Sequence, residues 1–237
     1  MNDFSEKTID YKQYVVDSKL RYFKPHATKI EKSFAEEISY SLNQNSKFIN
    51  PKFFYDRKGS DLFESITSLP EYYPTRTEIS ILKKLKQDLP SYLDENMNLV
   101  ELGSGASVKT RLILDIFTKL QVKTEYFPID ISEILTESSE QLLKDYDTLH
   151  ITGIIDTYEG GLEFLKTYDN KKNLILFLGS SFGNFTPDDG KLFLEKIFST
   201  MNSDDLFLIG LDLVKDKNIL ESAYDDSQGV TAKFNLN

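Results

Sequence analysis

The sequence predicts an α/β fold: a mainly parallel sheet with helices on both faces, preceded by a mostly helical region over residues 1–94. Three observations carry this reading. From about residue 95 onward, short apolar runs alternate with stretches of helical periodicity, as strands joined by crossover helices do. Before that point the apolar spacing is helical, with a loop-like centre. The 237 residues are 40% hydrophobic and 13% aromatic, enough for one sizeable core and too apolar for wholesale disorder.

Taken in order, Phe34–Leu42 and Ile79–Leu89 read as amphipathic helices, with Pro70 and Pro74 punctuating the stretch between them. The expected strands are Asn98–Leu102, Glu125–Ile129, His150–Ile155, Leu174–Leu178 and Leu206–Val214. Helical stretches fall around Ser107–Lys119, Ile134–Asp145, Gly160–Thr167 and Pro187–Thr200, which makes residues 95–237 the sheet-bearing core.

Composition narrows the function classes. The net charge of −10, from 38 acidic and 28 basic residues, gives no bulk attraction to a polyanion, so nucleic acid is not an expected partner. No run approaches ~18 consecutive apolar residues, so no membrane-spanning helix is expected. The N-terminus MNDFSEKTIDYKQY lacks the layout of a signal peptide. Cysteine is absent, which rules out thiolate chemistry and disulfides and fits a reducing compartment. His26 and His150 are the two histidines, too few for a histidine-rich metal site. A cytoplasmic location is the expectation.

In such a sheet, ligands bind outside the carboxyl ends of the strands. The first strand runs into Gly103-Ser104-Gly105, and the helix after it carries Lys109 and Arg111. Glycines at a strand-to-helix turn let a ligand approach the backbone, although a lone pair also fits an ordinary tight turn. Val108 stands where a dinucleotide fingerprint would have its third glycine. Glu101, at the strand end, suits a ligand carrying an ammonium better than a pyrophosphate. Asp130 ends the second strand and suits a ribose diol; Asp156 ends the third and suits an exocyclic amine. The fourth ends in GSSFGN, placing the amide of Asn184 over the crevice, and the fifth ends near Asp212. Each residue alone serves equally well as a helix cap or a solvated loop residue, and Thr186 competes with Asn184 for the cap before Pro187. Together they describe a nucleoside-binding cleft.

The segments FFYDRKGSDLFESITSLPEYYPTRTEISIL (Phe53–Leu82), VELGSGASVKTR, YFPIDIS, LFLGSSFGNFTP and LIGLDLVKDKNILESAYDDSQGVTAKFNLN carry a family resemblance. In order, and from about residue 20 to the last residue, the chain resembles the histidine-specific N-methyltransferases, which trimethylate the α-amino group of histidine to hercynine on the route to ergothioneine. The resemblance implies a Rossmann-like class I methyltransferase fold and S-adenosylmethionine as cofactor. By motif, Gly103, Lys109, Asp130 and Asp156 with Thr157 would hold the cofactor. Tyr73, Asn184 and Tyr224 would hold the amino acid, with Tyr72 as the alternative to Tyr73. Tyrosine faces would also stabilise the cation that methylation builds, by roughly 0.5–2 kcal/mol.

The chain departs from the family pattern in two places. The family commonly shows Asp-Phe where this chain has Asp156-Thr157, within IIDTYEGG. The family also continues well beyond the AYDD motif, so the resemblance implies a C-terminally truncated member lacking the last strands of the sheet. An acidic residue and a serine that contact the imidazole in the family lie in that portion. The strand LFLIGLDLV would then be a long apolar edge for another chain to cover. Three readings follow: a histidine N-methyltransferase, a same-family methyltransferase for another amine, or a non-catalytic cofactor-binding remnant or partner subunit.

Overall fold

A computed structural model describes residues 10–26, 33–105, 107–132 and 134–237. Strands β1 (Tyr11–Val15) and β2 (Leu20–Pro25) form an antiparallel hairpin, followed by helices α1 (Phe34–Leu42), α2 (Arg57–Thr67) and α3 (Tyr73–Asp88). Then strands and helices alternate: β3 (Met97–Leu102), α4 (Thr110–Leu120), β4 (Thr124–Asp130), α5 (Ile134–Asp145), β5 (Leu149–Ile155), α6 (Tyr158–Tyr168), β6 (Lys172–Phe177), α7 (Pro187–Thr200) and β7 (Leu206–Ile209). Helices α8 (Lys217–Tyr224) and α9 (Val230–Asn235) follow.

The strands form one sheet in the order β1-β2-β5-β4-β3-β6-β7, parallel except at the β1–β2 pair. The order reverses at β3, so the crevice between the β3 and β6 connections is the switch point where open α/β sheets bind ligands. Strand alternation sorts the core into two layers. Met97 and Leu99 face α4 and α5 with Ile113, Phe117 and Leu135; Val100 and Leu102 face α6 and α7 with Leu162, Phe193 and Ile197. A third cluster joins α2 and the start of α3 to α8 and α9 through Ile66, Leu69, Tyr72, Ala223 and Phe234. Side-chain caps set helix starts: Ser33 and Glu36 form a capping box at α1, Asp56 caps α2, and Thr186 caps α7 ahead of Pro187.

Two elements differ from the sequence reading. The N-terminal region, expected to be mostly helical, opens with a hairpin whose β2 extends the sheet beside β5. Most of β1 is solvent-exposed at the sheet edge, so it lacks the apolar alternation that marks a half-buried strand. The last strand, expected over Leu206–Val214, stops at Ile209 and is half-buried. Gly210 still donates its N–H to the Phe177 carbonyl at 2.8 Å, but a Cβ there would stand 2.0 Å from Glu78 Oε1. The Glu78 carboxylate therefore occupies the space that a side chain continuing β7 would need. Beyond it, Leu211, Leu213 and Val214 are exposed. Among the described residues, no helix is long and apolar enough to cross a membrane.

Candidate functional site

The carboxyl ends of β3, β4, β5 and β6 lie side by side. The register pairs Leu102 with Ile129 and Asp130 with Ile155, which sets Gly103, Asp130 and Asp156 on neighbouring strand ends. Gly103 and Gly105 have φ of +74° and +47°, left-handed values that favour glycine, and a Cβ on Gly105 would meet nothing within 4 Å. The Ser104 hydroxyl beside them is buried without a hydrogen-bond partner among the described residues.

Asp130 accepts from the Ser132 N–H at 2.9 Å. Burial raises its carboxyl above the usual range, opposed by backbone donors from Ser132, Gly105 and Ile131. Asp156 accepts from the Thr157 N–H at 2.7 Å and from the Tyr11 hydroxyl at 2.5 Å, so the N-terminal hairpin orients it. Thr157 caps α6 by accepting from the Gly160 N–H at 3.2 Å. The next residue, Tyr158, brings its hydroxyl to 2.8 Å from where a Gly103 Cβ would stand.

Glu101 does not reach the crevice. It shares the α4-facing side of β3 with Met97 and Leu99, is 3% exposed, and accepts from the Thr110 hydroxyl at 2.7 Å and the Tyr126 hydroxyl at 2.5 Å. The ammonium partner expected of it is thus a buried structural acid. Burial pushes its carboxyl up to about 7, against the donors Tyr126 and Thr110 that lower it.

The carboxylate that does reach the strand ends is Glu78 of α3. It pairs with Lys109 Nζ at 2.7 Å and accepts the Gly179 N–H on both oxygens, at 2.8 and 3.0 Å. The Lys109 and Glu78 side chains are 25% and 14% exposed.

A second polar cluster gathers past β7. The Tyr73 hydroxyl donates to Asp212, and Lys215 Nζ donates to Asp212 and, at 3.0 Å, to the Tyr73 oxygen while lying 4.4 Å from the Tyr73 ring centroid. Although burial alone would raise it, donation by Lys215 and Tyr73 leaves the Asp212 carboxyl below the usual range. Tyr224 is exposed and packs edge-on against buried Tyr72 with ring centroids 5.8 Å apart. Asn184 is exposed on the turn after β6, and Thr186, not Asn184, caps α7.

The structure therefore gathers Gly103, Lys109, Asp130 and Asp156 at the strand ends, and Tyr73 with Asp212 beyond β7. No hydrogen bond joins Asn184 to Tyr73 or Tyr224 among the described residues. Sequence reasoning missed Tyr11, Glu78, Tyr158 and Lys215. Glu78 does lie within the quoted PEYYPTRTE segment, but a helix charge carries no mark of its partner.

The family model for histidine-specific, SAM-dependent methyltransferases matches residues 34–237. The chain belongs to this family. It is 39% identical over 202 residues to histidine N-alpha-methyltransferase of Mycolicibacterium smegmatis, an alignment covering 85% of this chain and 62% of that protein. It is 35% identical over 185 residues to ergothioneine biosynthesis protein 1 of Neurospora crassa, covering 77% of this chain and 21% of that one. The chain thus spans less than two thirds of the length of these relatives. Among solved structures, a DUF574 family protein of Streptomyces avermitilis aligns with a TM-score of 0.51 at 12% identity, covering 85% of this chain and 75% of that chain, a likeness of fold.

The family is SAM-dependent, and the strand ends fit that cofactor. Among the described residues, a Cβ on Gly105 would meet nothing within 4 Å and the buried Ser104 hydroxyl beside it has no partner, and two carboxylates end adjacent strands.

Proposed function

We propose that this chain transfers methyl groups from S-adenosylmethionine to the α-amino group of L-histidine, giving hercynine on the route to ergothioneine. The observation that carries the reading is the adjacency of Asp130 and Asp156 beside the Gly103–Gly105 turn, which is open at Gly105, in a chain whose family is histidine-specific. When bound, the cofactor supplies an electrophilic methyl on a sulfonium; the amine nitrogen forms the N–C bond as the S–C bond breaks, and one proton leaves the nitrogen per transfer.

The residues act by holding and orienting. Asp130 accepts from the ribose hydroxyls, Asp156 with Thr157 receives the adenine edge, and the Gly103 turn and Lys109 hold the rest of the cofactor. Tyr73, Asn184 and Tyr224 bind the amino acid. Most of the acceleration then comes from aligning two bound reactants, which needs no covalent enzyme intermediate. Burial and the Asp212 carboxylate raise the Tyr73 hydroxyl above its ordinary pKa, so it stays protonated with its proton directed at Asp212.

The partner is a small molecule rather than nucleic acid or membrane, and the location is cytoplasmic, as a cysteine-free acidic chain suits. The organisation is a residue 1–94 region carrying the substrate loop, set on a residue 95–237 cofactor core. Strand β7 is outermost in the sheet, and a further chain would cover that edge. Calorimetry with S-adenosylhomocysteine, followed by a methylation assay on histidine and a panel of other amines, tests the proposal. Binding and histidine turnover are expected. Binding without turnover overturns the enzymatic reading of this polypeptide, and preference for another amine overturns the substrate.

A further inference from the structure

We infer that Glu78, with Lys109, forms a zwitterion receptor for the amino-acid tail of the cofactor, Glu78 taking the α-ammonium and Lys109 the α-carboxylate. This deepens the cofactor reading above and rests on it. Three observations lead there. The residue next to the turn that would have met an ammonium, Glu101, is spent on Thr110 and Tyr126 inside the core. Glu78 takes its place from a different element, in contact with the residues after β6 and β7 at the switch point of the sheet. It already holds an ammonium there, that of Lys109 at 2.7 Å.

The charges favour exchange. A half-buried ion pair is costly to break when one partner is left alone, but inserting a zwitterion replaces one pair by two, and no charge is stranded. Glu78 keeps the Gly179 N–H throughout, which fixes its carboxylate plane while the ammonium it faces changes. Gly210 protects the arrangement, since a Cβ there would displace the Glu78 carboxylate. The Lys215–Asp212 pair, by contrast, sits against Tyr73 past β7 and is assigned with it to the substrate side.

Discrimination between ligands provides the test. Wild type, Glu78→Gln, Glu78→Asp and Lys109→Met are titrated by calorimetry with S-adenosylhomocysteine, with its analogue lacking the α-amino group, and with its analogue lacking the α-carboxylate. Glu78→Gln should weaken S-adenosylhomocysteine by roughly 10- to 100-fold, the range for losing one charged hydrogen bond, and the des-amino analogue by less than about threefold. Lys109→Met should show the reverse selectivity against the des-carboxy analogue, and Glu78→Asp should recover part of the loss. Equal losses for all three ligands would reduce Glu78 to a structural brace and overturn the inference, as would unchanged affinity. A wild-type chain that binds none of the three overturns the cofactor reading itself, and the inference with it.

Discussion

Replacing Glu101 by Gln isolates what a buried acid does to this fold. The carboxyl is held at about 7 in the folded chain against an ordinary value of 4.5, because burial penalises its charge more than Tyr126, Thr110 and nearby Lys109 relieve it. Folding therefore binds this proton more tightly than the unfolded chain does. The resulting stabilisation is complete below pH 4.5 and is lost as pH rises through 7. A gap of that size corresponds to about 3 kcal/mol over the whole window, of which about 2 kcal/mol falls between pH 5.5 and pH 8. Gln keeps an oxygen for the Tyr126 and Thr110 hydroxyls but cannot ionise, so its own cost does not change with pH. Urea unfolding followed by far-UV circular dichroism suits the measurement, since the chain has no tryptophan. The stability difference between Glu101→Gln and wild type should move by about 2 kcal/mol in favour of Gln between the two pH values. A difference that stays constant refutes the claim that burial holds the proton.

Three further outcomes follow from the same geometry. Asp130→Ala should weaken S-adenosylhomocysteine binding by about 1–3 kcal/mol if the carboxylate holds the ribose hydroxyls, and calorimetry showing wild-type affinity removes that role. Tyr11→Phe deletes the donor to Asp156 at 2.5 Å and should lower the preference for adenine- over hypoxanthine-bearing ligands, with equal loss for both counting against an orienting role. Gly210→Ala places a methyl 2.0 Å from Glu78 Oε1 and should cost roughly 1–3 kcal/mol in denaturant unfolding while also weakening S-adenosylhomocysteine; a neutral result means the Glu78 carboxylate is free to move aside.

The four central strands were legible because each is an apolar run long enough to be buried on both faces, closed by an acid or a glycine. Asn98–Leu102 and His150–Ile155 were each found to within one residue of β3 and β5. The hairpin was not legible, because a mostly exposed edge strand such as Tyr11–Val15 has no reason to show apolar alternation. The end of β7 was overrun because Leu211, Leu213 and Val214 continue the apolar pattern, although the backbone has already left the sheet. The placing of Asp130 and Asp156 at neighbouring strand ends was legible because the ends of strands in a parallel sheet are chemically marked positions. Glu78 and Lys215 could not, since a charge on a helix or in a connecting loop looks the same whether it faces water or a partner.

Glu101 stands next to the turn in sequence but on the other side of the strand in space. Alternation along Met97, Leu99 and Glu101 assigns all three to the α4 side of the sheet, so period two alone already argues against its facing the crevice. Side-chain direction, not distance along the chain, decides what an acid can touch. The same rule links the two halves of the cleft. Tyr73 begins α3 and Glu78 follows five residues later, about 7.5 Å along one rigid helix. Tyr73 bonds to Asp212 at one level of that helix and Glu78 to Lys109 and Gly179 at the other. On the proposed assignments, substrate and cofactor contacts are borne by this single element, and a change that tilts α3 must disturb both the Asp212 and the Lys109–Gly179 contacts.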